Sequence, residues 1–203
     1  VLSTKWLPYS DVIRLKKIEE MVEVYYNSGQ FRNTMEHAEK EFSGAFAMYS
    51  SLADYYQRNG LFRASHSRIA RYEILLHFLE EHMGICPDGP ENGRQAADKS
   101  AEADRMAEYT TWLTLDLYLR DNVRNRPRFL PENKVTSDEA AAFYKKEEEE
   151  RTYLKNYEGY DRRQMRKMTH LERIFGRMIL FDYRERDPLS GDAVVYEIIE
   201  RTV

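Results

Sequence analysis

With 203 residues the chain is long enough for one domain, or one domain with a small appendage, and for a real buried core. Charged residues make up 33% of it while the net charge is only −4, so the two signs must be interspersed, which argues against a nucleic-acid module working through gross positive charge. A single cysteine, Cys86, excludes an internal disulfide and any multi-cysteine zinc or iron–sulfur site within this sequence and fits the cytosol. No run approaches the roughly 18 apolar residues of a membrane span, and no signal peptide is visible.

The opening Val1–Tyr9 is β-prone and reads as continuing from something larger. Ser10 is placed to N-cap a helix, with Asp11 in its first turn. Val12, Leu15, Ile18, Val22 and Tyr25 then recur at helical spacing, and Asn27-Ser28-Gly29 is the expected stop. Tyr25 and Tyr26 have two readings: core aromatics with satisfied hydroxyls, or, with Asn27, the lining of a pocket. A short helix is expected over Phe31–Phe42, where Asn33 and Glu36 have capping-box spacing. A further helix, over Ser43–Asn59, carries Phe46, Tyr49, Leu52, Ala53 and Tyr56 inward. Another starts at Ser65 or Ser67 and ends at Gly84.

Cys86–Gly93 is the clearest loop. A long helix is expected from Arg94 to Asn122, then an irregular segment in which Pro127 and Pro131 exclude a continuous helix. Thr136 and Glu139 form a capping box for the next helix, which points Phe143, Leu154 and Tyr157 inward and carries Glu147–Glu150 as a solvated face. Tyr160–Phe175 reads as one more helix, ended by Gly176. The period then changes: Met178–Tyr183 and Val194–Ile199 flank a turn-rich stretch and read as a β-hairpin. The expected fold is mainly α, an irregular bundle of about six or seven helices with a small C-terminal β-hairpin. Residues 1–9 lead in, 10–175 form the helical domain and 176–203 pack on it as the hairpin.

Signals for chemistry are sparse. There is no H-E-x-x-H, no phosphate-binding glycine loop and no nucleophile elbow. Glu73, His77 and Glu81 line one helix face but are too few for a metal site, and Cys86 has no adjacent base. Basic groups gather at Arg120, Arg124, Arg126 and Arg128, and again at Arg162, Arg163, Arg166, Lys167 and Arg173. Either set would bind phosphate or RNA backbone, or pair with the many nearby acids. Arg68, Arg71 and Glu73 around Tyr72, with Asp116 and Arg120, are charges within apolar helices. If buried they must pair, as registry devices or as site residues.

LSTKWLPYSDVIRLKKIEEMVEVYYNSGQF, RYEILLHFL and LDLYLRDNVRNRPRF, with ILFDYRERDPLSGDAVVYEI at the end, together resemble one family. It is the C-terminal domain of unknown function that follows the radical SAM barrel in bacterial proteins with a cobalamin-binding domain. The resemblance implies a parent enzyme that uses S-adenosylmethionine, a 4Fe–4S cluster and cobalamin, with Val1–Tyr9 as the exit from the barrel. The cluster-binding C-x-x-x-C-x-x-C motif is absent here, so no cofactor is expected in this chain itself and no catalytic residue is carried over. The implied role is a cytoplasmic, non-catalytic substrate-recognition or lid domain, partnered by the barrel and the cobalamin-binding domain of the same parent. Tyr25, Tyr26, Asn27, Arg71, Asp116 and Arg120 are its substrate-facing candidates. The alternatives are a protein- or RNA-docking module, in which the exposed arginines matter, and a structural brace for the barrel.

Overall fold

A computed structural model describes residues 8–84 and 96–199. The expected Cys86–Gly93 loop and most of the Val1–Tyr9 lead-in lie outside them. The fold is mainly α: seven α-helices are described, followed by a three-stranded antiparallel sheet. By its contacts the chain divides into two units, residues 1–109 and 110–203.

In the first unit, α1 (Tyr9–Val22) packs on α3 (Ala45–Arg58), burying Ile18 and Met21. Arg14 Nη2 ties the two by donating to Ser50 Oγ at 2.8 Å. Pro8, not Ser10, precedes the first turn. A proline there loses no helical hydrogen bond and presets φ, so Ser10 is left inside the helix. A π-helical turn, Glu23–Asn27, extends α1. Next comes α2 (Arg32–Ala38), which starts at Phe31 with no side-chain cap; the expected Asn33–Glu36 box does not form because Asn33 is already inside the helix. Ser67 caps α4 (Arg68–His82) by accepting from the Ala70 N–H at 3.2 Å. Its buried face is Tyr72, Leu75, Leu76, Phe78 and Leu79. The long helix α5 (Ala96–Arg120) begins in this unit, where Arg105 reaches Glu41 at 2.7 Å.

The second unit holds the end of α5, α6 (Ser137–Glu150), α7 (Arg162–Met168) and the sheet. The Thr136–Glu139 capping box opens α6 as expected, with both reciprocal bonds made. The expected helix over Tyr160–Phe175 is corrected: α7 stops at Met168, and Thr169–Ile174 is strand β1. Met165, Met168, Leu171 and Phe175 do repeat at helical spacing, but pairing with the apolar run that follows satisfies the same backbone in a sheet. Strand β2 (Arg177–Arg186) lies between β1 and β3 (Ala193–Glu197). Leu171 faces Leu180 in one register and Leu180 faces Tyr196 in the other. Residues 178–182 of β2 are buried in succession, as expected for a central strand covered on both faces. One face joins a core of Tyr144, Leu154, Tyr157, Met165, Leu171, Met178 and Leu180. Toward α5, Phe181 meets Tyr118 at 5.9 Å, and the Tyr183 hydroxyl donates to the Tyr118 carbonyl at 2.7 Å.

The expected solvated face over Glu147–Glu150 also needs correction. Glu147 is 1% exposed and accepts the N–H groups of Tyr153 and Leu154 at 3.0 and 2.8 Å. Arg151 takes a left-handed conformation at the helix end, and the chain turns back over that carboxylate.

Candidate functional site

The π-helical turn is a local device that helps build an apolar cleft in the first unit. A π turn inserts one extra residue per turn, which breaks the 3.6-residue phase and re-aims side chains. It closes through the Ser28 N–H to the Glu23 carbonyl at 3.2 Å, and the Ser28 hydroxyl takes the Val24 carbonyl at 2.7 Å. Gly29, at φ 64°, then lets the chain reverse toward α2. Tyr25 and Tyr26, both within this turn, differ sharply in exposure. Tyr25 is fully buried, whereas Tyr26 is 68% exposed.

Tyr25 belongs to an aromatic cluster. Its ring lies 4.8 Å from Phe31, and Phe31 lies 4.5 Å from Tyr72. Its hydroxyl donates to the Arg71 carbonyl at 3.3 Å and shares a 2.6 Å hydrogen bond with the Tyr56 hydroxyl. Burial, then the Tyr56 phenol, pushes the Tyr25 hydroxyl well above its ordinary range, so it is a neutral donor at physiological pH.

The cleft encloses about 930 Å³. Tyr26 and Asn27 line it from the π turn, Arg32, Met35 and Glu36 from α2, and Phe46, Met48 and Tyr49 from α3. Burial pushes the Tyr49 phenol up to about 12, so it too is a neutral hydroxyl at pH 7. Asn27 Nδ2 donates to Glu23 Oε1 at 2.7 Å, which fixes the amide on the solvent side of the turn. Phe46, expected among the inward residues of α3, is instead 66% exposed at its first turn. Such a cleft can hold a planar or apolar group between aromatic faces and read its polar edge with Arg32 and Glu36.

Of the six candidates taken from the sequence, Tyr25, Tyr26 and Asn27 line this cleft together. Arg71 touches Tyr25 through its backbone carbonyl and is not part of the lining. Asp116 and Arg120 belong to the second unit. Asp116 is buried on α5, while Arg120 Nε pairs with Asp192 Oδ1 at 2.8 Å beside the β2–β3 loop. Phe46 and Arg32 were not singled out as site residues in the sequence. The one available signal was the placement of Phe46 in the first turn after Gly44, ahead of the helix's buried face. Among the described residues, no group of three or more His, Cys, Asp or Glu side chains is arranged to hold a metal ion, and no helix is long and apolar enough to cross a membrane.

These features define a mainly helical protein with a small antiparallel sheet and an open aromatic cleft. The chain belongs to the family described as protein of unknown function DUF4080, whose family model matches residues 1–189. No curated protein and no solved structure matches it.

Proposed function

We propose that this domain recognises and encloses the substrate of a cobalamin-dependent radical SAM enzyme without carrying out chemistry itself. The four sequence segments that resemble the domain following such barrels support the parent assignment. The observation that carries the recognition role is the pair Tyr26 and Phe46, 68% and 66% exposed on one cleft whose base is the buried Tyr25. Large aromatics left in water at the rim of a concave surface are well suited to a ligand with a planar or apolar part. Covering that ligand would exclude water, which protects a radical intermediate, and would add specificity contacts away from the reacting atoms. The cofactors would be held by the barrel and the cobalamin-binding domain of the parent.

The test uses the full-length enzyme reconstituted with cluster and cobalamin, comparing it with the Tyr26→Ala/Phe46→Ala double variant. Each aromatic contact is worth about 0.5–1.5 kcal/mol. Conversion of substrate from cell extract is therefore expected to fall about tenfold or more, while substrate-free cleavage of S-adenosylmethionine persists. Unchanged conversion would remove the cleft from substrate recognition. Loss of the cluster would instead make Tyr26 and Phe46 part of a brace for the barrel.

A further inference from the structure

The second unit has its own cleft, of about 850 Å³, and its chemistry differs from the aromatic one. Two sets of cations that are far apart in sequence meet there. Arg124, Arg126 and Lys134 come from the irregular segment after α5, and Arg166 and Lys167 from the end of α7. Glu172 is the one carboxylate in the lining; it is 2% exposed and already engaged. It pairs with Arg126, accepts the Arg173 N–H at 3.0 Å and lies 3.5 Å from His170 Nε2. Burial raises the Glu172 carboxyl, but His170, the Arg173 N–H and Arg126 outweigh it and hold the group below its ordinary range, so it stays anionic.

Elsewhere in the unit several arginines pair with acids: Arg120 with Asp192, Arg162 with Glu148, Arg173 with Glu139. In the cleft Arg126 alone is matched in this way among the described residues, with Glu172. Arg124, Lys134 and Lys167 are exposed, and none makes an ion pair with a carboxylate among the described residues. Like charges gathered in a concave surface repel one another and focus a positive potential, in a chain whose net charge is −4. Part of the set is held in place before any ligand arrives. Arg126 also donates to the Pro131 carbonyl, Arg166 lies 5.1 Å over the Tyr144 ring, and Asn122 Nδ2 bonds the Lys167 carbonyl at 3.1 Å. On the floor His170 stacks on Tyr118 at 3.8 Å.

From this arrangement we infer that the cleft is a binding site for a small ligand carrying at least two adjoining phosphoryl groups. Arginine forks and lysine ammonium groups match phosphate oxygens with charge-assisted hydrogen bonds. The volume exceeds what two phosphoryl groups need, which leaves Val123, Val135 and Leu171 for an organic remainder. A bounded cleft in a net-negative chain favours a small phosphorylated ligand over a nucleic-acid backbone, which calls for an extended positive track.

The test is titration calorimetry on the 203-residue chain with inorganic diphosphate and with ADP as probes. A short single-stranded RNA serves as competitor. Saturable binding at or below about 1 mM is expected, weakened by added salt. Tighter binding of ADP would identify an ester as the source of the phosphates, and tighter diphosphate a free anion. Arg124→Gln/Lys134→Gln removes two exposed cations with no packing role and should weaken binding about tenfold or more with an unchanged melting temperature. No saturable binding of either probe, or unaltered affinity in the double variant, overturns the inference. So does RNA that binds more tightly than both probes.

Discussion

Glu147 is the residue whose environment departs furthest from its neighbours in sequence. Within a run of four glutamates it alone is buried, because Arg151 reverses the chain and brings two backbone N–H groups onto its carboxylate. A buried N–H without a partner costs about 1–3 kcal/mol, so Glu147→Ala should cost about 2–4 kcal/mol in urea unfolding. Glu147→Gln, which keeps one acceptor oxygen, should cost less. Alanine in place of the exposed Glu149 should leave the unfolding midpoint nearly unchanged. The neighbouring residue types could not single out Glu147, since the i,i+4 pattern of EEEE with KK reads equally well as a solvated face. The Tyr25/Tyr26 pair shows the same limit. Adjacent identical side chains take opposite environments because Tyr25 packs on Phe31 and Tyr56 while Tyr26 stays in solvent.

At the scale of elements, the first strand is the instructive case. β1 and β2 are joined by Phe175-Gly176, both at positive φ, 49° and 77°, the geometry of a type I′ hairpin turn. Gly176 was legible as a stop signal, and it does stop an element, but it ends a strand and not a helix. A Cβ at this position would meet nothing within 4 Å, so the cost of Gly176→Ala is backbone strain alone, about 1–2 kcal/mol. Gly176→Asn should lose less, since asparagine tolerates the left-handed region. Thermal unfolding of the two variants side by side checks the order. Elements with local punctuation were well marked in the sequence: the Thr136–Glu139 box opening α6, a serine cap for α4 at Ser65 or Ser67, which falls at Ser67, and the apolar run of β2. Boundaries that depend on a distant partner were not.

For the whole molecule, a paired carboxylate and the buried tyrosines set the response to pH. The folded value of Glu172 lies below its unfolded value, near 4.5, so its stabilisation is present above that pH and is lost as pH falls through the folded value. The tyrosines act in the opposite direction. Burial pushes the Tyr109, Tyr118 and Tyr144 phenols up to about 12 from the ordinary 10, and Tyr157 and Tyr183 higher still. A raised tyrosine contributes stability that is fully present below pH 10 and is lost as pH rises through the folded values. Stability measured by urea unfolding should therefore plateau near neutrality and fall on both sides, with the alkaline fall beginning near pH 10. Glu172→Gln should lower the plateau, because Arg126 loses its carboxylate partner, and flatten the acid limb; it should also lessen the Tyr118 share of the alkaline fall, since Glu172 adds to burial in raising that phenol.

By itself the sequence determined the fold class, the order of most elements and the residues available for a core. Those follow from the spacing of apolar side chains and from local caps and turns, which act over a few residues. It also presented two sets of arginines and one tyrosine turn without saying what each would meet. Only the tertiary structure turned 169–174 into a strand, because the competing hydrogen bonds lie on β2. Only it buried Glu147, and only it gathered Arg124, Lys134 and Lys167 on one cleft. Helical periodicity reports which face of a segment is apolar, while the convergence of charges depends on where loops and helix ends are carried by the packing of other residues.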